Sequence, residues 1–167
     1  VQTCALPILT GIYYAKIDGS SITEVIFPSE APNGIGLSPD GKTLYWAETF
    51  TGRVHQAKIA SPGVLEGYSS LDPANCLCGL PGLQLLDSLA VDGAGNVCVA
   101  TLGLQAAGVT VIAPSGEIVE QILTGDPLTT NVCFGGPDMS TAYLTLSGTG
   151  RVVSMPWRHG GLRLNFN

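Results

Sequence analysis

The sequence has few charged residues, and basic residues are the scarcest among them. Only 12% of the 167 residues are charged, and seven Lys and Arg stand against 13 Asp and Glu. The net charge of -6 argues against a nucleic-acid partner, because a basic surface is needed to neutralise phosphates. No apolar run approaches the roughly 18 residues of a membrane-spanning helix, which argues against a membrane partner. No segment keeps a helical period, and the 22 Gly and 11 Pro suit short strands joined by turns.

The five cysteines lack the spacing of a disulfide framework or a zinc site. Cys98 and Cys133 fall in predicted inner strands, where a free thiol packs as a small hydrophobic group. Cys76 and Cys78 are one residue apart, and no second Cys or His pair is placed to complete a metal site. We therefore expect unpaired thiols in a reducing compartment, the cytoplasm.

Residues 1–8 read unlike the rest of the chain, with neither a strand period nor turn residues. They resemble the translation of a sequencing adapter, so we interpret them as a non-native scar and residues 9–167 as one β domain. On this interpretation Cys4 has no biological meaning. The native N-terminus is then missing, which leaves export open.

One pattern, an apolar run, a Gly-containing turn and a second apolar run, occurs three times. Its copies cover residues 31–54, 87–101 and 130–145, and the first has Asp40-Gly41 at its turn. A repeat of roughly 40 to 50 residues built from short strands is typical of β-propeller blades. The sequence therefore predicts an all-β fold, a partial β-propeller.

The repeat also sets the expected order of strands within each blade. Inner strands are predicted near residues 34–38, 88–92 and 131–135. In the first full blade, residues 53–59 and 63–69 are predicted to be the third and fourth strands, and residues 71–86 a loop. A hairpin before them resembles the outer half of another blade, giving a little over three blades. Because the smallest common closed propellers have about four, we expect a fragment.

One position of the repeat carries polar side chains, just before each predicted inner strand. It is occupied by Asn33, Asp87 and Thr130, which should surround one end of the central channel. The amide and carboxylate oxygens of Asn33 and Asp87 would suit a hard divalent cation. From the residues alone, capping or turn roles remain equally open for both.

Other polar residues near this position have weaker patterns. Glu48 and Thr49 end the second strand of the first full blade, on the face where Asn33 begins the first strand. They could contact the metal ligands without contacting the metal, although a solvated strand end is the commoner role. His55 and His159 lack a nucleophile motif beside them, and we interpret both as structural or surface residues.

The three copies together resemble the senescence marker protein/gluconolactonase/luciferin-regenerating-enzyme family, which includes regucalcin. The resemblance lies in residues 32–45, 87–93 and 130–138, with the motifs Pro-Asn-Gly and Asp-Ser-Leu-Ala-Val-Asp-Gly. It implies a six-bladed propeller with one divalent metal at the channel mouth. Carried over, the ligands are Asn33 and Asp87, and a third, a Glu from the first blade, has no counterpart here.

The same resemblance implies hydrolysis of a lactone or another ester, with Asp87 accepting a proton from water. Ca²⁺ is the expected metal, and Zn²⁺, Mg²⁺ and Mn²⁺ are also compatible. Without its first-blade Glu, the isolated chain is expected to be inactive. The alternative is a non-catalytic propeller that binds a small ligand or a protein on its channel face.

Overall fold

The computed structural model describes residues 9–164, which are almost entirely β-strand and turn. Within that range the only helix is a 3₁₀ turn over Pro73–Asn75, and no helix there is long and apolar enough to cross a membrane. Residues 1–8, which we interpret as a non-native scar, lie outside the described range, as does Cys4.

Fourteen strands follow one another along residues 9–164. They are Leu9–Ala15 (β1), Ile22–Glu30 (β2), Pro32–Leu37 (β3), Thr43–Glu48 (β4), Arg53–Ser61 (β5), Val64–Leu65 (β6), Cys76–Gly79 (β7), Leu85–Val91 (β8), Val97–Leu102 (β9), Gly108–Ile112 (β10), Ile118–Leu123 (β11), Thr129–Gly135 (β12), Thr141–Leu146 (β13) and Arg151–Pro156 (β14).

These strands form four antiparallel sheets that succeed one another like propeller blades. The sheets are β1-β2, then β3-β4-β5 with two short strands on its outer edge, then β8-β9-β10-β11, then β12-β13-β14. The first strands of the last three sheets pack side by side, β3 against β8 and β8 against β12. The arc does not close, so the expected all-β, partial propeller is confirmed.

Hydrophobic cores fill the spaces between consecutive sheets, and strand alternation explains how one strand serves two of them. On β4, Leu44 and Trp46 are buried against the β1-β2 sheet, whereas Tyr45 and Ala47 are buried against the β8–β11 sheet. Because successive side chains of a strand point to opposite faces, a strand covered on both faces is apolar throughout. A further core lies between the last two sheets.

The first predicted turn forms as expected. The carboxylate of Asp40 accepts hydrogen bonds from Ser38 Oγ at 2.6 Å and from the Lys42 backbone N–H at 3.1 Å. Gly41 has a φ of 68°, a conformation that glycine tolerates best. The ends of the three predicted inner strands lie within three residues of the ends of β3, β8 and β12.

The outer edge of the first full blade differs from the prediction. We expected residues 63–69 to be the fourth strand and residues 71–86 a loop. Instead β6 pairs with the end of β5 and β7 pairs with its beginning, at Arg53, Val54 and His55. The loop prediction relied on Gly and Pro and overlooked the burial of Leu77 and Leu80 in the core.

The four cysteines in the described range are free, but they differ in exposure. Cys98 is fully buried in the core between the last two sheets, as predicted. The same prediction is wrong for Cys133, which is exposed because its side of β12 lines the open channel face rather than a core.

Candidate metal and catalytic site

Asn33 and Asp87 lie on the neighbouring inner strands β3 and β8, where the two backbones approach closely. The approach depends on Gly34, since a Cβ atom there would lie 2.8 Å from the Asp87 carbonyl oxygen. Real Cβ atoms essentially never come that close, so only glycine allows this strand spacing. The backbone therefore holds Asn33, which precedes Gly34, near Asp87 on the facing strand.

The Asn33 side chain is exposed and is oriented by the end of β4. Its Nδ2 donates a hydrogen bond to Thr49 Oγ1 over 3.3 Å. Thr49 also bonds through its backbone, since its N–H donates to Ala31 O and its carbonyl accepts from Leu86 N–H, both at 3.1 Å. One residue thus contacts the strand start that carries Asn33 and the residue that precedes Asp87.

Asp87 is half-buried, and its pKa is raised above the usual value for aspartate. Burial is the main cause, because removal from water disfavours the charged form. The Asn33 side chain and the Ser88 backbone N–H act in the opposite direction and lower the pKa through hydrogen bonding. The pair is therefore close enough for each side chain to affect the other.

These two side chains fit part of a hard-cation site. An amide oxygen and a carboxylate oxygen are ligands that Ca²⁺, Mg²⁺ and Mn²⁺ accept, and both groups stand beside the same strand contact. Between residues 9 and 164, no cluster of three or more His, Cys, Asp and Glu residues could hold a metal ion. The fit is thus with two ligands of a larger set, and their roles as ligands stay predictions.

Comparison with known proteins identifies the family. The sequence of residues 5–148 matches the family model that describes the SMP-30/gluconolactonase/LRE-like region. The chain belongs to this family. Lactonase drp35 of Staphylococcus saprophyticus is 34% identical over 113 residues, which are 68% of this chain and 33% of that protein.

Solved structures of the gluconolactonase family have the same fold. A putative gluconolactonase superposes with a TM-score of 0.73 and 27% identity, covering 92% of this chain and 48% of that one. Regucalcin from Agrobacterium tumefaciens, described as a calcium-binding protein, gives a TM-score of 0.72 at 22% identity, covering 92% and 56%. This family member therefore spans about half of these structures and a third of the curated relative.

The third residue predicted to surround the channel, Thr130, bonds within its own sheet. Its Oγ1 lies 2.9 Å from Thr145 Oγ1 and 2.8 Å from Ser147 Oγ. These hydroxyls satisfy one another on β12, β13 and the turn that follows. Thr130 occupies the repeated position, but these contacts give it a local structural role in this blade.

Glu48 contradicts the interpretation of a solvated strand end, since it is only 9% exposed. Its Oε1 accepts from Ser29 Oγ at 2.8 Å and from Glu30 N–H at 3.0 Å, and its Oε2 accepts from Thr51 Oγ1 at 3.0 Å. His55 Nε2 lies 3.3 Å from the same Oε2. Glu48 therefore joins β2, β4 and β5, and the role of His55 is structural, as expected.

Two further buried carboxylates were not singled out in the sequence, and hydrogen bonds from both near and distant residues satisfy them, including one from Trp157 Nε1 to Asp92 at 3.4 Å. Asp92 accepts from the backbone of Ala94 and from the backbone and side chain of Asn96, all at 2.9 Å. Asp126 accepts four hydrogen bonds, from Leu128, Gly148 and both the N–H and Oγ1 of Thr149. These bonds organise turns, so neither residue competes with Asp87 as a reactive group.

His159 lies far along the chain from the predicted ligands. With Arg158 and Glu120 it lines a cleft of about 420 Å³ between the last two sheets. The buried Asp92 side chain, at the end of β8 opposite Asp87, forms part of the same cleft. This location separates His159 from the candidate site.

Proposed function

We propose that this chain is part of a lactone or ester hydrolase that depends on a divalent metal. The observation that carries the proposal is the close approach of Asn33 and Asp87 on adjacent inner strands, with the pKa of Asp87 raised by burial. The names of the relatives, lactonase and gluconolactonase, agree with this reaction class. Because the chain spans only part of them, the activity is assigned to the complete protein.

Within this proposal, Asn33 and Asp87 would hold the cation through their side-chain oxygens. When bound, the cation would supply Lewis-acid chemistry at the lactone carbonyl. Ca²⁺ is the metal we expect, by analogy with the calcium-binding regucalcin. A third ligand would come from a blade outside this chain, so the isolated chain should be inactive.

Asp87 has a second role as the proton acceptor. Its carboxylate takes a proton from the attacking water while the water oxygen forms a bond to the carbonyl carbon. The ring C–O bond then breaks, and the same proton passes to the departing ring oxygen, which becomes a hydroxyl. A raised pKa suits this task because it makes the carboxylate a stronger base.

The test is hydrolysis of an aldonolactone by the complete protein with Ca²⁺ and by its Asp87→Asn and Asn33→Ala variants. Asp87→Asn should lower kcat by about 100-fold or more, because an amide cannot accept the proton. Asn33→Ala should weaken Ca²⁺ binding first and reduce turnover as a result.

Asp40→Asn is the matched control, because Asp40 is an exposed carboxylate at the far end of the same blade. It should leave both kcat and Ca²⁺ affinity unchanged. An Asp87→Asn variant as active as the wild type would refute the assignment of the base. A complete protein that hydrolyses no lactone or ester would favour the non-catalytic binding propeller.

A further inference from the structure

Thr49 is placed to control the geometry between the two proposed ligands. It follows β4, the strand between β3 and β5, and is itself partly exposed. Its backbone N–H donates to Ala31 O, its hydroxyl accepts from Asn33 Nδ2, and its carbonyl accepts from Leu86 N–H. Three groups of one residue therefore reach both strands that carry the proposed ligands.

The bond to Ala31 fixes a backbone conformation that is otherwise unfavourable. Ala31 has a φ of 44°, in the left-handed region that residues with a Cβ atom seldom occupy. Such a conformation persists only where surrounding contacts impose it, and these positions cluster at functional sites. Here the Thr49 N–H holds the Ala31 carbonyl at 3.1 Å, two residues before Asn33.

The hydroxyl bond determines which end of the Asn33 amide is free. Nδ2 donates to Thr49 Oγ1, and the same NH₂ group faces the Asp87 carboxylate, whose pKa it lowers; the amide oxygen is left as an acceptor that neither contact uses. That oxygen is the atom a hard cation requires. The alternative amide orientation would offer the cation an NH₂ group, which cannot act as a ligand.

We propose that Thr49 is a positioning residue that orients the Asn33 amide and fixes its distance from Asp87. This inference rests on the proposed function for its effect on catalysis, but the orienting bond itself exists without metal. Residues that orient a metal ligand through a hydrogen bond change metal affinity about 10- to 100-fold when they are removed. Thr49 therefore acts through Asn33 and need not touch substrate.

The decisive variant is Thr49→Val, which keeps the β-branched shape and both backbone bonds but removes the hydroxyl. In the complete protein, Ca²⁺ affinity measured by calorimetric titration should fall by roughly tenfold, and Thr49→Ser should restore it to within about twofold. Thr43→Val is the matched control. Thr43 begins the same strand, and its hydroxyl makes no hydrogen bond within residues 9–164.

A second measurement needs neither metal nor substrate. In ¹⁵N NMR spectra of the metal-free protein, exchange of the Asn33 side-chain amide protons with water should be slowed in the wild type. Thr49→Val should reduce that protection, whereas Thr43→Val should not. If Thr49→Val does not fold, the wild-type exchange rate alone still tests the bond.

The outcomes separate the two proposals. Unprotected Asn33 protons in the wild type, or unchanged Ca²⁺ affinity in a folded Thr49→Val variant, would overturn the role of Thr49. Absence of both Ca²⁺ binding and hydrolysis in the wild type, with Asn33 protection still dependent on the Thr49 hydroxyl, would overturn the proposed function and leave the orienting bond established.

Discussion

Replacing Glu48 by Gln should destabilise the fold without touching the proposed catalytic groups. The Glu48 carboxylate receives hydrogen bonds from Ser29, the Glu30 backbone and Thr51, and it lies 3.3 Å from His55 Nε2. A glutamine retains one oxygen but places an NH₂ group opposite donors. At least one buried donor then loses its acceptor, which lowers the stability of the fold because that donor cannot form a hydrogen bond with water instead.

The magnitude follows from the pKa of Glu48. Burial alone would raise it, but bonding to His55, the Glu30 N–H and Ser29 outweighs burial and lowers the pKa from 4.5 to about 2. Such a lowering corresponds to roughly 3 kcal/mol, at about 1.4 kcal/mol per pKa unit. Glu48 lines a cleft together with Arg53 and His55. Solvent screening there reduces this value, so we expect a loss of about 2 kcal/mol. For a domain of this size the Tm should fall by about 4–8 °C.

The sign of the pH dependence gives a sharper test than the size. A carboxylate whose pKa is lowered by folding stabilises the native state above its unfolded pKa, and this contribution is lost as the pH falls through the folded pKa. The difference in free energy of unfolding between wild type and Glu48→Gln should therefore be largest at neutral pH and should decrease below pH 4.5. By about pH 3 it should be less than half of its value at neutral pH.

Urea unfolding followed by tryptophan fluorescence at several pH values measures this gap. Glu66→Gln is the matched control, since Glu66 is exposed and its side chain makes no hydrogen bond in the described range. It should match the wild type at every pH. A Glu48→Gln midpoint equal to the wild type at pH 7, or a gap that does not change between pH 7 and pH 3, would refute the reasoning.

Two further predictions concern packing and thiol reactivity. Gly34→Ala should lower the free energy of unfolding in urea by about 2 kcal/mol or more, because its Cβ atom would meet the backbone N of Leu89. At Gly79 the nearest atom to an added Cβ is 4.0 Å away, so Gly79→Ala should lower it by less than about 1 kcal/mol. Equal losses for the two variants would contradict this. In the native protein a disulfide reagent should label the exposed Cys133 quickly and Cys98 only on unfolding, since burial raises the pKa of Cys98. Equal labelling rates for the two, mapped by mass spectrometry, would show that this core opens.

The sequence predicted local features of the blades best. The Asp40-Gly41 turn depends on residues within five positions of each other, and the positions of the inner strands follow from the repeat itself. The near approach of Asn33 and Asp87 could also be predicted, because equivalent positions of adjacent blades converge on the channel. The repeat thus supplied a long-range contact that a single strand pattern cannot give.

The role of Glu48 could not be predicted, because its partners come from another blade. Ser29 and Glu30 lie on β2, 19 and 18 residues away, in a hairpin that carries no copy of the repeat. A carboxylate at the end of a strand has the same local pattern whether it is solvated or buried. Only the packing of the β1-β2 sheet beside β4 distinguishes the two.

The contacts of Thr49 also lie outside any local sequence pattern, and they show how the fold produces the candidate site. The repeat aligns Asn33 with Asp87 but does not distinguish an amide that is free to rotate from one that is fixed. What fixes it is a residue at the end of the next strand, whose backbone also bonds Leu86. Two blades that merely converge would bring oxygens near each other, whereas a shared hydrogen-bonded residue gives them one defined geometry. Rigid placement of this kind lowers the cost of assembling ligands around a cation, so Thr49 should affect affinity more than overall stability.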